Sequence, residues 1–390
     1  MLEEPSPGLV VLFGSGETSP SGRRVFETVL KSLPPQPRIA LLETPAGFEL
    51  NSYQVISRVG DFIRHRLQNY QPQITIVSAR DRNSILSPDN PKIVKPLLEA
   101  DLIFLGPGSP TYAIRQLKDS LAWQYLVARY LLGGGLIFAS AATVAMSSHS
   151  LPVYEIYKVG EDLHWNEGLD FFGMFGLPFV FIPHWNNDDG GVELDTSRCF
   201  MGQSRFNKLI EMLPPMSTIL GVDEKTALIL DVQKGTCIVQ GLGGITLLHT
   251  GHQHPSSEFI HKVSRIAEVV EENQRHEHYH RSGETFSLSG YYPFEIRPAL
   301  QNIPLDIWTL ALEAQIYLKE QRRIIDHPSP CPTSIEELPH KVQVLLADRQ
   351  KARDQKDWVK ADELRTMIEK LDWKVEDTPE GERIEKRSKA

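Results

Sequence analysis

Residues 135–146 read Gly-Leu-Ile-Phe-Ala-Ser-Ala-Ala-Thr-Val-Ala-Met, and this stretch decides the fold. Leu136-Ile137-Phe138 is a β-type apolar run that drives straight into Ser140. Ala139, Ala141 and Ala142 crowd that serine with small side chains, and a helix-compatible stretch follows. A strand that ends on a serine and turns at once into a helix has the pattern of a nucleophile elbow, which lifts the hydroxyl above the sheet edge. The N–H groups at the start of the following helix face the place where an oxyanion forms. The same residues also describe a buried serine in an Ala-rich turn, because Phe138 and Ala142 stand where such elbows usually carry glycine.

Outward from this turn, apolar runs alternate with amphipathic stretches. Strands are expected at Leu9–Phe13, Arg38–Leu42, Ile74–Val77 and Leu102–Leu105. Helices are expected near Gly22–Leu33, Tyr53–Asn69, Lys92–Glu99, Tyr112–Lys118 and Ala122–Leu132. This alternation implies a mainly parallel sheet with helices on both faces. After Gly221 the texture changes to short strands, Ala227–Leu230, Thr236–Gln240 and Ile245–His249, separated by glycine turns. They read as antiparallel hairpins at one edge of the sheet. Glu258–Arg275 reads as helix, Thr285–Pro304 as loop and Leu305–Arg322 as helix, with a linker around Pro328–Pro332.

The chain has 390 residues and a formal net charge of −9, which argues against a nucleic-acid binder over its whole length. Its three cysteines, Cys199, Cys237 and Cys331, are far apart and form no CxxC, as expected of a reducing compartment without a structural zinc. The acidic, proline-broken start, Met-Leu-Glu-Glu-Pro-Ser-Pro, does not read as a signal peptide, and no apolar run reaches membrane-spanning length. A cytoplasmic location with no membrane partner is expected.

A serine nucleophile needs a base, an orienting acid and oxyanion donors. Leu105-Gly106-Pro107-Gly108-Ser109-Pro110-Thr111 follows a strand and precedes a helix. Its glycines let backbone N–H groups approach a substrate oxygen, although an ordinary tight turn has the same composition. His184 closes the apolar run Phe179-Val-Phe-Ile-Pro and opens the polar cluster Trp185-Asn-Asn-Asp-Asp-Gly-Gly191. A histidine at a strand end beside a polar loop suits a base, and equally a structural or exposed residue.

Five motifs occur in order: Gly14-Ser-Gly-Glu17, Gly106-Pro-Gly108, Ala139-Ser-Ala141, Pro183-His-Trp185 and Gly221-Val-Asp-Glu-Lys-Thr-Ala227. Over roughly residues 8–250 this set resembles the cyanophycinase/α-aspartyl dipeptidase (peptidase E)-like serine peptidases, which have the class I glutamine-amidotransferase-like fold. The resemblance implies Ser140 as nucleophile, His184 as base, and Gly108 and Ala141 as oxyanion donors. For the acid it implies Glu155, fifteen positions after Ser140, with Glu224 as the alternative. The family's taste for acidic peptides implies basic residues near the site, for which Arg115, Arg198 and Arg205, together with Ser109, are the substrate-binding candidates. No metal and no cofactor are implied. Two departures stand out. Ala142 replaces a glycine, at a cost of roughly 1 kcal/mol or more if the position needs positive φ, and Thr143 replaces a smaller residue. A glutamine amidotransferase is disfavoured because serine holds the elbow and the cysteines lie elsewhere.

From Leu338 the composition turns charged, with an apolar stripe that runs through Leu345, Trp358, Leu364 and Ile368. Arg349, Ala352-Arg353, Lys356-Asp357, Ala361-Asp362, Arg365 and Glu376-Asp-Thr-Pro-x-Gly381 make this segment, 338–384, resemble the C-terminal hairpin of cysteinyl-tRNA synthetases. Nothing upstream resembles a synthetase. Residues 338–390 carry 13 Lys and Arg against 12 Asp and Glu, so the segment has no net pull on phosphates and reads first as a packing or dimerisation hairpin, second as a tRNA contact. Alternating histidines in Arg275-His-Glu-His-Tyr-His-Arg281, with His252 and His254, read as a solvated polar segment rather than a metal site.

The expectation is therefore an α/β three-layer sandwich with a mainly parallel sheet and a C-terminal helical hairpin. Its parts are an α/β domain at 1–250, a helical and irregular extension at 251–335, the hairpin at 336–384 and a disordered tail at 385–390. The expected activity is serine-type hydrolysis of a small peptide or amide. The rival is a degenerate binding or scaffold protein whose hairpin docks to tRNA, a protein or a second copy of the chain.

Overall fold

The runs Val10–Phe13, Leu102–Leu105 and Gly135–Ala139 are so apolar that only a sheet buried on both faces can hold them. The computed structural model describes residues 6–215, 217–250, 276–288, 303–326, 338–378 and 381–386. Its first elements are β1 (Val10–Phe13), α1 (Pro20–Leu30), β2 (Arg38–Leu42), α2 (Ser52–Arg66), β3 (Gln73–Val77), α3 (Pro91–Leu98) and β4 (Leu102–Leu105). They continue with α4 (Pro110–Leu117), α5 (Leu121–Leu131), β5 (Gly135–Ala139), α6 (Ala141–Ala145), the two-residue strands β6 (His149–Ser150) and β7 (Asn166–Glu167), and α7 (Gly202–Glu211). Every residue of β1, β4 and β5 is buried. Successive side chains alternate between two cores. Val10, Leu12, Ile103, Leu105 and Phe138 join α3 and α5 on one face, while Val11, Phe13, Phe104 and Ile137 join α1 and α2 on the other.

The strands β3, β2, β4, β5 and β1 are parallel neighbours in that order. Beyond β1 the same eight-stranded sheet continues antiparallel with β10 (Thr226–Asp231), β11 (Thr236–Gly241) and β14 (Thr285–Ser287). In register, Phe13 stands beside Ala139 of β5 and Ala227 of β10.

A second, four-stranded sheet corrects the expectation of a single sheet edge. It holds β8 (Phe179–Ile182), β9 (Thr218–Val222), β12 (Gly244–His249) and β13 (His276–Arg281). The chain leaves the first sheet at Gly241, whose φ of +158° and lack of a side chain let it turn towards the second. Residues 276–288, expected within an irregular extension, supply an edge strand to each sheet. His-Glu-His-Tyr-His-Arg lacks an apolar face, so no strand signal is visible in its composition. The helix expected at 258–275 and the linker around Pro328–Pro332 lie outside the described residues, as do His252 and His254. Among the described residues, no helix is long and apolar enough to cross a membrane.

The chain divides into two compact units, 1–315 and 316–390, and the division falls within α8 (Leu305–Asp326). In the second unit, α9 (His340–Asp354) and α10 (Trp358–Glu369) pack as a pair, and the Asp357 side chain caps α10 by accepting from Lys360 N–H. Two expectations fail here. Trp373–Thr378 and Gly381–Lys386 pair as antiparallel strands, β15 and β16, where the end of the helical hairpin at 336–384 and the start of the disordered tail at 385–390 were expected. Trp373 and Val375 are buried two positions apart, the period of a strand. Trp358 is 56% exposed rather than in the seam, with the Arg353 guanidinium 5.9 Å from its ring.

Candidate active site

At the end of β5 the chain reverses over one residue. Ser140 has φ +52° and ψ −110°, a conformation that a non-glycine residue adopts only when its surroundings impose it. The constraint comes from the next turn. The Thr143 hydroxyl lies 2.9 Å from the Phe13 carbonyl and 3.0 Å from that of Phe138, pinning α6 across the ends of β1 and β5. The departure at Thr143 thus has a structural use. The strain expected at Ala142 is absent: Ala142 is helical and fully buried, and the positive φ sits on Ser140 itself.

The second sheet brings the partners. His184 follows β8 and Pro183, has φ +51°, and donates its backbone N–H to the Gly14 carbonyl at 3.3 Å. Glu224 sits in the connection from β9 to β10, where its N–H donates to Asn186 Oδ1 at 2.8 Å. Ser140 Oγ is 2.9 Å from His184 Nε2, and His184 Nδ1 is 2.8 Å from Glu224 Oε1. Asn187 Nδ2 donates to the same Oε1 at 2.9 Å. The bond to His184 above all, then Asn187 and nearby Lys225, hold the Glu224 carboxyl down to about 2 against the cost of burial.

Glu155, the first choice of acid, makes no such contact. It opens a π-helical turn, Glu155–Val159, and both ring nitrogens of His184 are already engaged by Ser140 and Glu224. Gly108 has φ +149°, and a side chain there would run into the Pro45 backbone, to whose carbonyl Ser109 N–H donates at 3.0 Å. Ala141 is the first residue of α6, so no carbonyl of the helix serves its N–H.

The substrate-binding candidates part company. Ser109 caps α4, its Oγ accepting from Tyr112 N–H at 3.1 Å. Arg115 is exposed and stacks over the Tyr112 ring at 5.0 Å. Arg198 lies 3.9 Å over the Trp185 ring and donates to the Trp185 carbonyl, and Arg205 donates to the carbonyls of Met201 and Phe200. These two guanidiniums brace a strap in which Arg198, Cys199 and Phe200 all have positive φ, of +57°, +58° and +67°. The strap backs the base: Cys199 N–H donates to the His184 carbonyl, and the Phe200 ring lies 5.8 Å from the imidazole. Burial pushes the Cys199 thiol up to about 12, so it is not a competing nucleophile.

Asn186, Asn187 and Glu17 are site residues to which no role was assigned from sequence. The asparagines stood in view as a polar pair straight after the strand-end histidine. Burial raises the Glu17 carboxyl above its ordinary range, against the pull of nearby His184. Among the alternating histidines, His280 stacks on Phe286 at 3.9 Å and pairs with Glu284 at 3.5 Å.

A peptidase from an acI-B1 Actinobacterium superposes with a TM-score of 0.52 at 21% identity, over 72% of this chain and 97% of that one. The likeness shows that the α/β fold is shared. A protein from Listeria monocytogenes EGD-e named for peptidase E is more distant, with a TM-score of 0.41 at 14% identity. Residues 336–384 match the cysteinyl-tRNA ligase anticodon binding domain family. The cysteine–tRNA ligase 1 of Burkholderia lata is 46% identical over 48 residues, 12% of this chain and 10% of that protein. The cysteine–tRNA ligase of Protochlamydia amoebophila is 43% identical over 51 residues, 13% and 11%. The chain spans about a tenth of the length of these curated relatives.

Proposed function

We propose that the first unit, on a class I glutamine-amidotransferase-like three-layer scaffold, is a serine-type hydrolase that cleaves an amide or peptide bond. The observation that carries this reading is the hydrogen-bonded line Ser140 Oγ, His184 Nε2, His184 Nδ1, Glu224 Oε1, with 2.9 Å and 2.8 Å links. The neutral imidazole takes the Ser140 proton as Oγ attacks the carbonyl carbon. Ionised Glu224 stabilises the imidazolium that forms. The N–H groups of Ala141 and Gly108 serve the oxyanion. His184 then returns the proton to the leaving amine, and water, activated by the same imidazole, releases the acyl group. With Arg198 and Arg205 committed to backbone carbonyls, recognition of a substrate carboxylate by an arginine falls to Arg115. A fluorophosphonate probe tests the reading. It is expected to label the wild-type protein at Ser140 and to spare Ser140→Ala. An unlabelled wild-type protein would favour the rival, a degenerate binding protein.

For the second unit we propose a contact with tRNA, supported by the family match over 336–384. Exposed Trp358, flanked by Arg353, Lys356 and Lys360, suits stacking on a base. Aminoacylation is not part of the proposal, since the likeness stops at the hairpin. Deleting 338–390 should lower tRNA affinity at fixed salt and leave Ser140 labelling intact, whereas unchanged affinity would return the hairpin to a packing or dimerisation role.

A further inference from the structure

Around His184 the hydrogen bonds have one self-consistent direction once Asn187 is included. Asn187 is 3% exposed, on the loop that follows β8. The Asp189 backbone N–H, which can only donate, lies 3.3 Å from Asn187 Oδ1. That contact fixes which end of the amide is oxygen and which is nitrogen. Nδ2 is then the group 2.9 Å from Glu224 Oε1, and it can only donate. Oε1 must therefore accept there, and since the Glu224 carboxyl is ionised it has no hydrogen to give and accepts again from His184 Nδ1 at 2.8 Å. The neutral imidazole consequently carries its hydrogen on Nδ1 and presents a bare Nε2 lone pair to Ser140 Oγ, 2.9 Å away.

Asn186 completes the grip from the other side, its Oδ1 accepting from the Glu224 backbone N–H at 2.8 Å. Base and clamp thus lie within four consecutive residues, His184-Trp185-Asn186-Asn187, and both ends of the acid are held by the loop that carries its partner.

We infer that Asn187 is a positioning residue for the hydrolysis, one that acts through Glu224 to hold His184 in the Nδ1–H tautomer. This rests on the hydrolase reading above. Amide rather than carboxylate at position 187 is essential to it. An Asp there has the same shape but no donor, and it sets a second carboxylate against Glu224, which then keeps a proton.

The test compares Asn187→Ala and Asn187→Asp in the full-length chain. Side-chain ¹⁵N NMR reads the His184 tautomer. The rate of phosphonylation by the fluorophosphonate probe, separated into its maximal rate and its half-saturation concentration, reads Ser140 reactivity. The wild type should show the Nδ1–H tautomer and both variants should lose it. The maximal rate should fall about ten- to a hundredfold, as for a lost hydrogen bond to a charged group, with half-saturation unchanged. Asn187→Asp should be the slower variant. A merely structural asparagine predicts the reverse order, because Asp fills the same space and Ala does not. A wild-type Nε2–H tautomer, a faster Asp variant or an unchanged tautomer would each overturn the inference. Wild-type protein that the probe leaves unlabelled sinks the hydrolase reading instead, while the tautomer spectrum still decides what Asn187 does.

Discussion

The hydroxyl of Thr143 reaches the carbonyl of Phe13, 130 positions earlier in the chain, at 2.9 Å. It ties the helix behind Ser140 to the strand at the centre of the sheet. Thr143→Val keeps the shape and removes the donor, leaving the Phe13 carbonyl with only the 3.3 Å Ser140 N–H at this end of the strand. We expect a loss of about 1–2 kcal/mol in urea unfolding, and slower phosphonylation of Ser140 because the turn is no longer pinned.

Backbone strain at the turn makes a second prediction. At φ +52° glycine is at ease and alanine is not. Ser140→Gly should therefore be more stable than Ser140→Ala by about 1 kcal/mol, measured as the difference between their unfolding midpoints. Equal stabilities would mean that the turn relaxes when the serine is removed.

The two acids give a third. Glu224→Gln should slow phosphonylation of Ser140 by about a hundredfold or more, since the imidazolium loses its counter-charge and the tautomer its anchor. Glu155→Gln, with no hydrogen bond to His184, should change the rate by less than about threefold by the same reasoning. The measurement is the probe rate for the two variants side by side.

Acid stability gives the fourth. The Glu224 carboxyl ordinarily titrates near 4.5 and is held at about 2 in the folded protein, chiefly by its bond to His184. A depressed carboxylate adds stability above its unfolded value, and that contribution is lost as pH falls from about 4.5 through about 2. Glu224→Gln should flatten the fall of the urea midpoint over this window. A raised carboxyl has the opposite sign. Glu17→Gln should stabilise the protein at neutral pH and change little in acid, where Glu17 is already protonated.

The fold was legible where burial is two-sided. Leu136–Phe138 and Leu102–Leu105 are continuous apolar runs because helices cover both faces of the sheet, and a local pattern suffices to see that. Strand ends also mark Ser140 and His184, the residues that the structure brings to 2.9 Å. The choice between the two acids was not legible, because Glu224, the alternative, reaches His184 only through the pairing of Ile182 with Gly221, which no local spacing encodes. Edge strands escaped for a different reason. His276–Arg281 offers only Tyr279 and Gly381–Lys386 only Ile384 as an apolar residue, so alternation has almost nothing to display. Arg198 and Arg205 misled because a long side chain can fold back onto its own loop as readily as reach a ligand.

The shared register of β1 has a further consequence. Phe13 lies level with Ala139, the residue before the nucleophile, and with Ala227, three residues past the acid. One strand therefore acts as a ruler for both. Adding or deleting a single residue in β5 or β10 would move one partner by about 3.3 Å along the ruler and turn its neighbours to the opposite face. Length, more than side-chain identity, is what these two strands must conserve. Families of this architecture should accept many substitutions there and almost no insertions.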